Sequence, residues 1–295
     1  MVSRERLSLL GVGLLAMASK LVAHDVIENS LPAAKARGVD QAVQAVVAEQ
    51  KLVGVAIGIL QQGRVVYVKG YGDANREQGV PVSTETVFNW ASNSKPVAAV
   101  LAMQLVEKKK LDLNADVRKY VPEFPDKGTV ITTRHLLCHQ SGIPHYANGK
   151  IVPTVRNYDV ADPFSQPVLA LDKFNQSPLI FSPGEKVSYS SHAYILLSAV
   201  IERAGEQSLA EQLQSRIAQP LKMTSFAPDT GGDNPEFVVG YAKKGETIAR
   251  SIDEPQYWKH GAGAYRSSIT DFARWAEALL NRRLVSQQTE AAMWT

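Results

Sequence analysis

Residues 91–106 read Ala91-Ser92-Asn93-Ser94-Lys95-Pro96 and then VAAVLAMQLV, a polar segment that turns directly into an apolar run. The spacing predicts a helix over 93–109. Ser92 or Asn93 stands where a side chain caps the first amides, and Pro96 falls in the first turn, where its missing N–H costs nothing. Val97, Val100, Leu101, Leu105 and Val106 supply a buried face. Residues i and i+3 of a helix share a face, so the Lys95 amine lies within reach of the Ser92 hydroxyl. Helix N-terminal amides favour negative charge developing there, and apolar neighbours lower a lysine's pKa until it can take the serine's proton. Ser92 is therefore a candidate nucleophile and Lys95 its base. By spacing alone, the same four residues also read as a helix cap followed by a surface lysine, because a chain this long holds about one Ser-x-x-Lys by chance.

Working outward, Val53–Leu60 and Arg64–Lys69 are β-branched-rich runs joined by Gln61-Gln62-Gly63, which predicts a hairpin with a three-residue connection. Gly70-Tyr71-Gly72-Asp73 reads as a turn, residues 74–90 as irregular, and Val39–Gln50, with Val43, Val46 and Val47, as a helix ahead of the hairpin. Downstream, residues 111–180 show little periodicity apart from Thr133–Cys138. Ser190–Ala204 predicts a second strongly apolar helix stopped by Gly205. Thr270–Asn281 predicts a third, entered by the small-residue segment Gly261-Ala262-Gly263-Ala264. Tyr189, just ahead of the second helix, is placed to aim a phenol into a cleft, although a tyrosine in such a place, taken alone, reads first as packing.

Composition bounds the rest. The 295 residues, 45% hydrophobic and 21% charged, suffice for one large domain with a buried core. A net charge of +3 gives no nucleic-acid signature, and the short run Lys108–Lys110 reads as a solvated helix end. Cys138 is the only cysteine, so no intrachain disulfide can form. Residues 1–23 read as an export segment. Arg4 and Arg6 precede the apolar Leu7–Met17, and Ala16-Met17-Ala18 or Leu21-Val22-Ala23 fits a cleavage site. At about a dozen residues the apolar run falls short of the ~20 that cross a bilayer as a helix. The expectation is a periplasmic or secreted protein, with loose membrane association if the segment stays attached. His135 and His139, with Cys138 between them and His145 nearby, have a spacing that could ligate zinc. Gln140-Ser141-Gly142 lacks the glycine pattern of a nucleophile elbow, and Gly70-x-Gly72 is not a phosphate loop.

Six ordered blocks resemble one family. They are the hairpin ending in Gly70-Tyr71-Gly72; Thr86-Val87-Phe88 leading to Ala91-Ser92-Asn93-Ser94-Lys95; Leu111-Asp112-Leu113-Asn114 with Tyr120-Val121-Pro122-Glu123-Phe124; Thr132 to Pro144; Phe181-Ser182-Pro183-Gly184 through Tyr189-Ser190; and Gly261 to Tyr265 before the Asp271 helix. Together they resemble the serine β-lactamase and penicillin-binding-protein superfamily, in its class C-like esterase and peptidase branch. Several blocks resemble the mitochondrial β-lactamase-like proteins and their bacterial relatives. The resemblance implies an α+β fold of the β-lactamase/transpeptidase type, with an antiparallel sheet flanked by helices and a mostly helical subdomain over roughly 100–250. The active site would lie in the cleft between them. It implies that Ser92 attacks a carbonyl, that Lys95 holds and deprotonates it, that Tyr189 carries the proton to the leaving group, and that the Ser92 amide forms half of an oxyanion hole. The resemblance accounts for the His135–His145 block as a buried packing segment with a hydrogen-bonded histidine, so no cofactor or metal is expected, and the partner is a small-molecule or peptide substrate, with self-association open.

Two departures qualify the resemblance. The family's second motif is usually Tyr-x-Asn, and here it is Tyr189-Ser190-Ser191. Ser191, at the substrate-binding position, is shorter and has one donor, which puts recognition of a lactam or peptide amide in doubt. The third motif, Lys-Thr-Gly or His-Thr-Gly, does not occur after the Asp271 helix. Residues 24–295 thus read as a single β-lactamase-related domain lacking its C-terminal strands, a truncated member with impaired turnover and an incomplete sheet. The alternative is a non-catalytic member that binds peptide or peptidoglycan-like ligands or self-assembles. Residues 147–180 and 226–258 read as the specificity loops.

Overall fold

The hairpin forms as strands β1 (Gly54–Gln61) and β2 (Arg64–Asn75), paired antiparallel from Gly54 opposite Gly72 to Gln61 opposite Arg64, with an irregularity at Ile59/Leu60. The computed structural model of the chain describes residues 27–160, 163–229, 237–251 and 256–294, so the export segment predicted at 1–23 lies outside the described residues. The connection is two residues, not three. Gln62 and Gly63 both take positive φ (51° and 72°), the turn whose twist matches that of the strands. Gly70 and Gly72 are not a turn, because β2 runs straight through them. A Cβ on Gly70 would stand 2.3 Å from the Val82 carbonyl oxygen, and Gly72 (φ 70°) lies as close to Val53, so glycine here marks close backbone approach.

Helix α1 (Ala33–Gln50) precedes the hairpin and buries no residue. Asp40 ties it to β2, accepting hydrogen bonds from the Tyr67 hydroxyl (2.7 Å), Lys69 Nζ (2.8 Å) and the Tyr71 hydroxyl (2.7 Å). These bonds, Lys69's first, hold its carboxyl down at about 2. Two short strands then follow in the stretch expected to be irregular: β3 (Val80–Pro81) extends the hairpin sheet, and β4 (Val87–Asn89) leads to the serine.

The core is built on two helices, α2 (Ser94–Glu107) and, beyond α3 (Thr133–Leu137) and α4 (Pro167–Ala170), α5 (Ser191–Gly205). Helix α5 is buried on nearly every face, which places it at the centre of the helical subdomain rather than on its surface. Its start is one residue later than expected, because Ser190 is the cap, its hydroxyl accepting from the Ala193 amide. Its end also differs. The left-handed residue is Glu206 (φ 56°), and Gly205 is the last helical residue. Glycine is needed there for space, since a Cβ would sit 2.2 Å from Oε1 of the buried Gln212, whose Nε2 donates to the Ile201 and Gln207 carbonyls. Gly205→Ala should therefore destabilise the chain by about 1–3 kcal/mol, read as a lower midpoint in urea unfolding.

Helix α6 (Leu209–Leu213) opens on a Ser208/Glu211 capping box. Strands β5 (Ala227–Pro228), β6 (Tyr241–Lys244), β7 (Thr247–Arg250) and β8 (Tyr265–Ser268) complete the described sheets, ordered β4-β8-β5 and β6-β7. Helix α7 (Ile269–Leu280), capped by Ser268, covers the hairpin: Ile269 and Ala273 lie against Gly58, Glu277 accepts from the Val65 amide, and Asn281 reaches the Gly63 carbonyl. Helix α8 (Gln287–Trp294) ends the described chain. The architecture is the expected α+β arrangement of helices with antiparallel strands. No described helix is long and apolar enough to cross a membrane.

Candidate active site

The serine-bearing turn is held from both sides by one tryptophan. The Trp90 amide donates to the Tyr265 carbonyl (2.8 Å) and its indole Nε1 to Ser267 Oγ (2.8 Å), both on β8. Between Trp90 and α2 the chain makes one turn of 3₁₀ helix (Ala91–Asn93), with Ala91 at φ 46°, a conformation that non-glycine residues rarely hold. The turn changes the predicted cap. Asn93 makes no capping bond, and Ser92's hydroxyl pairs with the Tyr189 hydroxyl. Ser94, the second serine of the motif, is fully buried and accepts from the Tyr265 amide (3.1 Å), fastening the start of α2 to β8.

Ser92, Lys95 and Tyr189 come together. Ser92 Oγ lies 2.7 Å from the Tyr189 hydroxyl and 3.2 Å from Lys95 Nζ. Lys95 is buried, and its ammonium has two further acceptors, Ser191 Oγ at 3.3 Å and the Ala262 carbonyl at 2.5 Å. An amine nitrogen has one bond to its chain and three other directions. If Lys95 is neutral and its two remaining N–H groups stay on Ala262 and Ser191, its lone pair points at Ser92 Oγ. Burial lowers the Lys95 pKa below the ordinary lysine value, and the charge of Lys259 works in the same direction against the neighbouring Tyr189. For Tyr189 burial acts to raise the phenol's pKa, but the adjacent Lys95 and the hydrogen bond to Ser92 outweigh it, and the net shift is downward. Both shifts are downward, from values well above neutral toward ordinary pH, the direction that suits groups passing a proton between them. Ser191 Oγ, buried, faces Lys95.

The histidines of the 132–145 block support this arrangement. His139 Nδ1 accepts from the Ser190 amide and His145 Nδ1 from the Ser191 amide, both at 3.2 Å. Their rings pack on Tyr189, at centroid distances of 4.6 Å and 5.3 Å. His135 Nδ1 accepts from the Thr132 amide within a capping box on α3. Among the described residues no cluster suited to a metal ion occurs. Burial, with Lys95 nearby, lowers His139 to about 4, and burial lowers His192 and His260 to about 4 as well. A histidine whose folded pKa lies below its unfolded value favours folding fully above about 6.5 and loses that contribution as pH falls toward about 4. The urea midpoint should therefore drop between pH 6.5 and pH 4, and His192→Gln should flatten that slope.

The Ala262 carbonyl and the two histidine acceptors were not legible in the sequence as parts of the site. The small-residue segment was the available signal for the first. The Gly261 amide donates to Ser198 Oγ on α5, and a Cβ there would stand 2.8 Å from Ala98, so only glycine lets the 257–262 turn lie between α2 and α5 with its carbonyl on Lys95.

Residues 39–295 match the Beta-lactamase family model. The chain belongs to the beta-lactamase family. Among curated proteins it is 33% identical to Esterase EstB of Burkholderia gladioli over 62% of this chain and 48% of that protein. It is 28% identical to Protein flp of Staphylococcus aureus over 77% of this chain and 45% of that protein. It superposes on the octameric penicillin-binding protein homologue from Pyrococcus abyssi with a TM-score of 0.73 and 28% identity, covering 88% of this chain and 60% of that one. This beta-lactamase-family chain thus spans about half the length of the curated relatives it matches.

Proposed function

We propose that this chain is a serine hydrolase that works through an acyl-enzyme, with an ester as the carbonyl substrate favoured over a lactam or peptide. The observation that carries the reading is the hydroxyl of Ser92 held between two proton-carrying groups, Tyr189 and Lys95. In the proposed cycle Ser92 Oγ bonds to the carbonyl carbon while its proton passes to Lys95 Nζ. The tetrahedral intermediate then collapses, its C–O bond to the leaving group breaks, and Tyr189 gives its proton to the leaving oxygen and takes back the one held by Lys95 Nζ, which is neutral again. A water repeats the attack on the acyl-enzyme, releasing the acid and returning the proton to Ser92. The Ser92 amide is one donor for the oxyanion. Ser191 acts in this reading by holding Lys95, and EstB, named an esterase, supports the ester class.

Treatment with a fluorophosphonate should add one adduct by intact mass, mapped to Ser92 by peptide sequencing. A folded sample that takes no label, or takes it elsewhere, would overturn the proposal. The basic start and apolar run at residues 4–17 support export, and N-terminal sequencing of the mature protein should find cleavage after Ala18 or Ala23. The octameric relative supports self-association, which light scattering measures.

A further inference from the structure

Beside the Ser92 cleft lies a pocket of about 480 Å³ walled by rings. Tyr146, Tyr158, Phe164 and Trp258 line it, together with His192 and Lys173. It is joined to the site through Tyr146, whose ring packs on His145 (4.1 Å), itself packed on Tyr189. His192 in its wall follows Ser191 directly in the chain and stacks on Phe174 (4.3 Å, 10°). The volume suits a small organic group, and aromatic walls suit a flat one.

The charges decide which kind. Asp172, the acid in the wall, is already engaged: Arg156 pairs with it at 2.6 Å, and Tyr158 and Asn175 donate to it. Lys173 is different. Its ammonium lies over the Phe164 ring (4.3 Å) and the Trp258 ring (4.7 Å), and among the described residues it has no carboxylate partner. Lys259 adds a second positive charge over Tyr146 (5.3 Å) and Trp258 (5.6 Å). A cationic guest would meet two ammonium groups already seated on the rings, whereas an anionic group would supply Lys173 with the partner it lacks.

We infer that this pocket is the acyl-group subsite and that it selects an aromatic acyl group carrying a carboxylate. The inference rests on the serine-hydrolase reading for turnover, but the binding it describes does not. The test has two arms. In the first, the chain hydrolyses the 4-nitrophenyl esters of 4-carboxyphenylacetic and 4-methylphenylacetic acids. The carboxylate ester should have the higher kcat/KM, and Lys173→Met should lower the ratio of the two by about tenfold, the size of one hydrogen bond to a charge, with Lys173→Arg restoring it. In the second, 2-naphthoate is titrated into Ser92→Ala by calorimetry, and Lys173→Glu in that background should abolish binding.

Equal ratios in the parent chain and Lys173→Met, or naphthoate binding that ignores Lys173→Glu, would overturn the subsite. If neither ester turns over while naphthoate binds in a Lys173-dependent way, the serine mechanism falls and the subsite stands.

Discussion

Ser92→Ala should reduce ester turnover by several orders of magnitude, on the order of 10⁶-fold where nucleophile and base act as one unit, while leaving the fold in place. The reason is geometric. Ser92 is exposed, and among the described residues its side-chain oxygen hydrogen-bonds to the proton-carrying groups Tyr189 and Lys95 and to no others. The contacts that fasten this region belong to its neighbours, Trp90 on Tyr265 and Ser267, and Ser94 on Tyr265. Progress curves with a 4-nitrophenyl ester measure the loss, and circular dichroism checks the fold. Turnover within tenfold of the parent chain would show that another group attacks the carbonyl.

Lys95→Met should cost about 10²- to 10⁴-fold in kcat/KM, the range for removing a positioned general base. The pH profile separates a base from a merely structural lysine. Lys95 must be neutral to take the Ser92 proton, so the rate should rise with pH through the lysine's pKa, which burial places below the ordinary 10.5. In Lys95→Met that rising limb should disappear, and labelling of Ser92 by the fluorophosphonate should slow in parallel. A variant that loses rate but keeps the limb would assign the base to another residue. Ser191→Ala should act more weakly in the same direction, because it removes one of two acceptors that orient the amine and leaves Ala262 in place.

Much of the arrangement was readable before the structure, where a single local pattern decides the outcome. The apolar patterns at 93–109 and 190–204 predict buried helices, and the β-branched runs on either side of Gln61-Gln62-Gly63 predict a hairpin, and each forms. Errors fell at boundaries and at glycines. Gly205 looked like a helix stop and serves as room for Gln212, and Gly70 and Gly72 looked like a turn and lie inside a strand. In each instance the residue responds to a neighbour distant in the chain, which no local pattern records. The 132–145 histidines show the same limit: their spacing could ligate zinc, the resemblance favoured a packing segment, and only the chain's return at 188–191 shows that the Ser190 and Ser191 amides occupy two of the ring nitrogens.

The sequence by itself determined the buried helix that carries Lys95 in its first turn and placed Ser92 three residues ahead of it, within reach of the amine, because that relation needs only helical spacing. It also placed Tyr189 at the entrance of the second buried helix. Only the tertiary structure decided that Tyr189 meets Ser92, that Ser191 and the Ala262 carbonyl take up two directions around Lys95 Nζ, and that they are adjoined by an aromatic pocket whose Lys173 has no carboxylate partner among the described residues. Those contacts join residues about a hundred positions apart or more. The Ala262 contact exists because Gly261 lets one turn pass between two packed helices, a matter of shape that the linear order of residues does not contain.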